Sequence, residues 1–250
     1  MNPIFLMRIN ETNLTKSELL IMDYALNNLE AVSNLSINEF ADNLELSKSA
    51  ISRFCKKLGY HGYSQFKYDI KRYLSENIHV TPQESQTHTV ASIYAETIAE
   101  IDETVYPGEM QKLKDLLLRA RRVKVFGFSE TGLTAKFFGL RLAGHGYDVE
   151  VVTHSSFIYR KVELSQKDDL LIFLSLSANT DYIKDGVHRA LKNDIPTALV
   201  TQNTRSVFRN KVDAFIELPF FKDNPGNLIL DSQVIMQTFC LTFINFLVSK

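Results

Sequence analysis

The sequence predicts an all-α helix-turn-helix domain over residues 1–75, followed by an α/β domain with a doubly wound parallel five-stranded sheet over residues 93–250. Three observations predict it. Residues 11–75 hold hydroxyl-capped helix starts followed by apolar residues at three- and four-residue spacing. Residues 122–218 hold five short β-rich runs separated by helical patterns. Between the two halves, SENIHVTPQESQTHTV (residues 75–90) is polar and poor in large apolar groups. Such a stretch buries too little surface to offset its ordering entropy, so residues 76–92 are expected to be a linker.

Composition bounds the possibilities. With 250 residues, 45% of them hydrophobic and 23% charged, the chain can bury a sizeable core and is neither disordered nor low-complexity. Two distant cysteines, Cys55 and Cys240, exclude a disulfide framework and predict a reducing, cytoplasmic home. The longest apolar stretches, 170–176 and 239–248, fall short of the ~20 residues of a membrane span. The first ten residues lack a basic leader, so no signal peptide and no membrane partner are expected.

The net charge of −1 hides a step. Residues 1–46 carry a net −5, whereas residues 47–73 carry +6. That polarity either serves an anionic partner or neutralises itself across a helix interface.

The helices justify themselves in order. Thr15-Lys16-Ser17-Glu18 is a capping box, and Leu19, Met22, Leu26 and Leu29 follow as an amphipathic stripe. Ser36-Ile37-Asn38-Glu39 is a second box, opening a short helix with Ile37, Phe40, Ala41 and Leu44 inward. Ser47 caps a third helix over residues 48–58, closed by Gly59. Only residues 43–46 separate the last two, which is helix-turn-helix spacing.

On the third helix Ile51, Phe54, Cys55 and Leu58 share one face. Ser49, Ser52, Arg53 and Lys56 share the other, with Lys57 at its flank and Ser47 and Lys48 at the N-terminal end. Small side chains let a helix enter a major groove, arginine pairs bidentately with guanine, and lysines meet phosphates. A merely solvated face usually mixes both charge signs, and this one has no acid. Double-stranded DNA is the expected partner, through Ser47, Lys48, Ser49, Ser52, Arg53, Lys56 and Lys57. A fourth helix over 64–74, with Phe66, Ile70, Tyr73 and Leu74 inward, offers Lys67, Lys71 and Arg72 as backbone clamps or solubility charges.

The run SINEFADNLELSKSAISRFCKKLGYHGYSQFK resembles the N-terminal DNA-binding domain of RpiR-type bacterial transcriptional regulators. Ser36, Ala41, Ser47, Arg53-Phe54, Leu58-Gly59, Gly62-Tyr63 and Phe66 stand at the family's positions, and the likeness covers residues 10–75. It implies a regulator, a repressor being the expected sign. Cys55 reads as a small buried residue rather than a reactive thiol.

In the second half, β-rich runs at 122–128, 148–153, 169–175, 196–201 and 213–218 alternate with helical patterns at 133–143, 182–192 and 207–210. Regular alternation implies parallel strands with right-handed crossovers, and ligands bind at the carboxyl ends of such strands. Two ends lead into helices: Gly127-Phe-Ser-Glu-Thr-Gly132 and Ser175-Leu-Ser-Ala-Asn-Thr180. They offer Ser129, Thr131, Ser175, Ser177, Asn179 and Thr180 beside helix N-termini, a cradle fit for phosphate. One such loop alone is explained by helix capping.

Residues 95–247 resemble the SIS (sugar isomerase) domain, whose Ser-x-Ser-Gly-x-Thr hallmark is matched by SLSANT and whose Gly-rich first loop is matched by GFSET. The resemblance implies a sugar phosphate effector gripped by Thr131, Ser175, Ser177 and Thr180. Ala178 stands in place of the motif glycine and Ser129 in place of a usual loop glycine; a left-handed backbone at 178 would then require the loop to shift.

The competing expectation is a phosphosugar isomerase with an accessory helical domain, whose acid–base residue would come from Glu130, His145, His154 or Glu163. None pairs with a partner in sequence, so no enzyme is expected. His61, His79, His88 and His188 lack metal-ligand spacing, and Gly127 and Gly132 do not make G-x-G-x-x-G, so neither metal nor cofactor is expected. The last helix, 232–248, is apolar around most of its circumference, with Phe239, Cys240, Phe243, Ile244 and Phe246; it is expected to pack on the sheet and on a second subunit of a homodimer or higher oligomer.

Overall fold

Capping chemistry and apolar spacing build the N-terminal helices of the computed structural model, which describes residues 3–77, 89–105, 107–221 and 230–249. The chain divides into two units, Met1–Thr87 and His88–Lys250. The first contains α1 (Pro3–Asn10), α2 (Lys16–Asn27), α3 (Leu29–Asn34), α4 (Ile37–Asn43), α5 (Lys48–Lys57) and α6 (Tyr63–Asn77). Both capping boxes form: Thr15 and Ser36 each accept from the backbone three residues on, and Glu18 and Glu39 reach back.

Two of these helices were not expected. α1 buries Phe5, Leu6 and Met7, and α3 buries Val32. The stripe expected from Leu19 to Leu29 is broken because Asn28 (φ −136°, ψ 42°) ends α2 and its side chain caps the Tyr24 carbonyl. Ile21, Met22 and Ala25 form the buried face, with Phe40, Ile51, Phe54, Phe66 and Ile70 in the same cluster, and Leu19, Leu26 and Leu29 pack half-buried against it.

α6 runs to Asn77, and in the second unit α7 (Val90–Ala99) starts from an N-cap at Thr89. Both ends of the expected 76–92 linker are therefore helical, and residues 78–88, with His79 and His88, lie outside the described residues. α8 (Ile101–Thr104) and α9 (Pro107–Arg119) lead to β1 (Arg122–Phe126). Then follow α10 (Glu130–Gly144), β2 (Val149–Val152), α11 (Ile158–Glu163), β3 (Asp169–Leu174), α12 (Asp181–Lys192), β4 (Thr197–Thr201), β5 (Ala214–Glu217) and α13 (Gln233–Val248). The sheet is parallel throughout, in the order β2-β1-β3-β4-β5.

Strand alternation sorts its two faces. Val123, Val125, Leu170, Ile172 and Val200 pack against α7, α9, α10 and α13; Phe126, Leu171, Phe173 and Leu199 pack against α11 and α12. The helix expected at 207–210 is instead a series of turns, closed by bonds such as Arg209 N–H to Ser206 O (3.1 Å), that seats Phe208 in the core. α13 buries Ile235, Met236, Phe239, Cys240, Phe243 and Ile244, so most of its apolar girth serves its own unit. Among the described residues no helix is long and apolar enough to cross a membrane.

Candidate functional site

In the first unit the geometry centres on α5. Its entry turn needs a sharp reversal, made by Glu45 at φ 53° and closed by Leu46 N–H to Ala41 O (2.9 Å). Ser47 then caps the helix by accepting from the Ala50 amide at 3.2 Å, and its hydroxyl lies 2.9 Å from that of Ser49. Gly59, at φ +92°, ends it. Ile51, Phe54, Cys55 and Leu58 are buried as expected. Burial pushes the Cys55 thiol up to about 12, so it stays a protonated core residue. Ser47, Lys48, Ser49, Arg53 and Lys56 are exposed and Ser52 is half-buried, and α5 carries no acid.

A groove of about 510 Å3 runs between the first turns of α2 and α5, lined by Thr15, Ser17, Glu18, Leu46, Ser47, Ala50 and Arg53. Lys57 points elsewhere than its expected phosphate: its ammonium lies 2.9 Å from the Glu18 carboxylate. Burial raises the Glu18 carboxyl, but hydrogen bonds from the Thr15 backbone, Lys57 and the Thr15 hydroxyl outweigh it and hold the group below its ordinary value. Lys67, a possible clamp, caps the end of α3 by donating to Asn34 O and Leu35 O, both at 2.8 Å, and Arg72 lies 3.7 Å from Asp69.

In the second unit the sheet order reverses direction between β1 and β3, and the two loops of interest leave those two neighbours. Phe126 pairs with Phe173 and Val152, so the loops after β1 and β3 start side by side. Gly127 is obligatory: a Cβ there would stand 2.3 Å from the Thr131 carbonyl oxygen. Ser129 follows at φ 54°, exposed and bonding no amide as N-cap of α10. The Thr131 hydroxyl accepts from Phe128 N–H (2.9 Å) and donates to Phe128 O (2.8 Å), so it closes the turn.

In the β3–α12 loop, Ser175 Oγ accepts from Ala178 N–H (3.1 Å) and Ser177 Oγ from Asn179 N–H (3.3 Å). These bonds commit one lone pair of each serine and leave its O–H able to donate. The Thr180 hydroxyl at the start of α12 is buried with no protein partner. Ala178 is left-handed (φ 48°), and its methyl is buried in the apolar cluster that holds Phe128, Phe173 and Ile183. The Tyr182 ring sits edge-on to Phe128 at 5.1 Å.

A third loop, after β4, was missed. Thr201 Oγ1 donates to Leu176 O (2.8 Å), Gln202 N–H to Leu176 O (3.1 Å), and Asn203 Nδ2 to Ser177 O (2.7 Å). The signal was present in the polar run TQNTRS directly after a β-rich run.

The acid–base candidates scatter. His145 caps the far end of α10, roughly 24 Å along the helix from Ser129 at 1.5 Å per residue. Glu163 pairs with Arg189 (3.1 Å), and His188 Nδ1 meets the Lys184 carbonyl (2.8 Å). Glu130 and His154 remain near strand ends, with Ser156 Oγ 2.6 Å from His154 Nδ1. Among the described residues no group of three His, Cys, Asp or Glu could hold a metal ion.

Known proteins share both halves. Residues 1–77 match the model of the helix-turn-helix domain, rpiR family, and residues 116–235 match that of the SIS domain. An uncharacterised HTH-type transcriptional regulator of Haemophilus influenzae is 28% identical over 206 residues, 78% of this chain and 72% of that one. The HTH-type transcriptional regulator HexR of Pseudomonas aeruginosa is 22% identical over 246 residues, 92% of this chain and 83% of that one. The solved structure of the Vibrio vulnificus NanR protein complexed with ManNAc-6P covers 99% of this chain and 90% of that chain with a TM-score of 0.59 at 19% identity, a likeness of fold. The chain thus places a helix-turn-helix domain of the rpiR family in front of a SIS domain, and the relatives that it resembles along most of its length are HTH-type transcriptional regulators.

Proposed function

We propose that this regulator is a cytoplasmic, non-enzymatic repressor that binds operator DNA through α5 as a twofold homo-oligomer, and that a sugar phosphate held by the loops after β1 and β3 changes that binding. One observation carries the DNA reading: the side of α5 that its own core leaves uncovered displays Lys48, Ser49, Arg53 and Lys56 and no carboxylate. Ser47, half-buried Ser52 and the groove beside Arg53 continue that surface.

For the effector, Ser175, Ser177 and Thr180 combine spare hydroxyl donors with the N-terminus of α12; Asn179 lies in the same loop and Ser129 and Thr131 in the neighbouring one, where the Thr131 hydroxyl is already donated to Phe128 O. A phosphate, which only accepts, suits donors of this kind. The ManNAc-6P bound by the NanR protein, which shares this fold, supports a sugar as the group that carries it. The ligand alters DNA affinity only by binding two arrangements of the paired DNA heads unequally.

A second copy of the chain suits the outer side of α10 and α13, which pack side by side. Leu133 and Leu140 are 65% and 74% exposed, seven residues apart on one face of α10, and Leu241 on α13 is 41% exposed.

The test uses the full-length chain. It is expected to enrich one duplex from a randomised library, and a thermal-shift panel of hexose and pentose phosphates then identifies a stabilising ligand. Ser177→Ala and Thr180→Ala weaken the effect of that ligand on duplex binding and leave ligand-free binding intact. Loss of ligand-free binding in both variants would assign these residues to folding instead. Interconversion of any panel member, followed by NMR, would overturn the non-enzymatic reading.

A further inference from the structure

Glu18 is an anomaly on a surface read as facing DNA. It lines the groove beside Ser47 and Arg53, where a free carboxylate would repel phosphate. Its place in the capping box does not require a charge, because glutamine serves equally there. The structure gives the charge a different employment. One oxygen, Oε2, accepts from Thr15 N–H (2.8 Å), Thr15 Oγ1 (2.9 Å) and Lys57 Nζ (2.9 Å). The carboxylate side chain is 13% exposed and the lysine 34%.

We propose that Glu18 and Lys57 form a positioning pair that sets the recognition helix against α2, so that Lys57 serves operator recognition through Glu18 and not through a phosphate. The proposal rests on the DNA-binding reading and deepens it. Glu18 is the third residue of α2 and Lys57 the last of α5, so the pair ties the first turn of one helix to the final turn of the other. Arg53 precedes Lys57 by four residues and therefore lies on the same side of α5, one turn back. The shared core of Ile21, Met22, Ala25, Ile51 and Phe54 holds the two helices together without the pair. Apolar contact is non-directional, however, and leaves small rotations of α5 inexpensive. A charge-assisted bond between fixed ends selects one rotation, and bidentate base contacts by Arg53 depend on it.

The experiment compares the full-length chain with Glu18→Gln, Lys57→Met, the double variant and Lys57→Arg. Glu18→Gln keeps an acceptor for the capping box, and Lys57→Met keeps the apolar stem. Binding is titrated against the duplex enriched by the wild-type chain and against an unrelated duplex, at several salt concentrations. The expected result is a loss of about tenfold on the enriched duplex for each single variant, an equal loss for the double, and recovery in Lys57→Arg. Affinity for the unrelated duplex and the salt slope stay at wild-type values, which also shows that the variants are folded. A Lys57→Met slope shallower by about one, with Glu18→Gln binding as well as wild type, would make Lys57 a phosphate contact and overturn the proposal. Wild-type affinity in both single variants overturns it as well. A wild-type chain that enriches no duplex overturns the DNA-binding reading itself, and this pair's role with it.

Discussion

The two units offer to meet anions by opposite means. α5 presents exposed side-chain cations, Lys48, Arg53 and Lys56, at the ends of long mobile stems. The loops after β1 and β3, GFSETG and SLSANT, contain no lysine or arginine at all. They offer the Ser175 and Ser177 hydroxyls, fixed by backbone bonds, and the buried, unpartnered Thr180 hydroxyl at the N-terminus of α12. A duplex is a long array of phosphates, and adjustable cations can track it. One small phosphate is better held by dipoles already in place, which need no reorganisation when it arrives. The contrast teaches that charge count is a poor guide to an anion site of the kind proposed for the second unit, since a cradle of hydroxyls and amides leaves no mark on it.

The largest effects belong to the cationic side. Arg53→Ala and Lys56→Ala are each expected to cost about 1–3 kcal/mol of duplex affinity where they reach a base, a loss of roughly 5- to 150-fold. A titration of the enriched duplex at fixed salt measures this. Unchanged affinity in both variants would remove α5 from the interface and dissolve the comparison.

Salt sharpens it next. Between 50 and 200 mM salt, duplex affinity is expected to fall about a thousandfold or more if six or so phosphates are neutralised. Affinity for the sugar phosphate is expected to change by about twofold or less over that range, because fixed dipoles release few counterions. Calorimetric titration of the ligand beside the duplex titration gives both slopes. Equal slopes would mean that a cation serves the crevice after all.

How much of this the sequence carried depends on range. Features fixed within four residues were legible: the boxes at Thr15 and Ser36, the Ser47 cap, the glycine at 59 and all five strands. α1 and α3 were not, because Phe5–Met7 and Val32 become helical faces only when Phe40, Phe66 and Ile70 supply a core to bury them. The sequence places Lys57 at DNA and leaves Lys67 open between a backbone clamp and a solubility charge. Their partners, Glu18 and the Asn34 and Leu35 carbonyls, lie 39 and more than 30 residues away, and no local pattern links them. The β4 loop does carry a local mark, the polar run TQNTRS, but its role shows only in long-range bonds from Thr201 and Asn203 to Leu176 and Ser177.

The smallest effect tests whether the crevice is intact despite its departure from the family motif. Ala178 holds φ 48°, which costs an L-residue roughly 1–2 kcal/mol relative to glycine. Ala178→Gly removes that strain. It also loses a buried methyl, worth about 0.8 kcal/mol, and loosens the unfolded chain by about 0.4–1 kcal/mol. These terms nearly cancel, so thermal unfolding should move by only a few degrees. The informative quantity is ligand affinity. The methyl is buried with Phe128, Phe173 and Ile183, so it fills core and not the space an anion would take. Affinity for the sugar phosphate should therefore stay within about threefold of wild type, since no contact to the ligand changes. A gain of tenfold or more would place the methyl against the phosphate, and the second unit would then be a crevice that its own sequence partly closes.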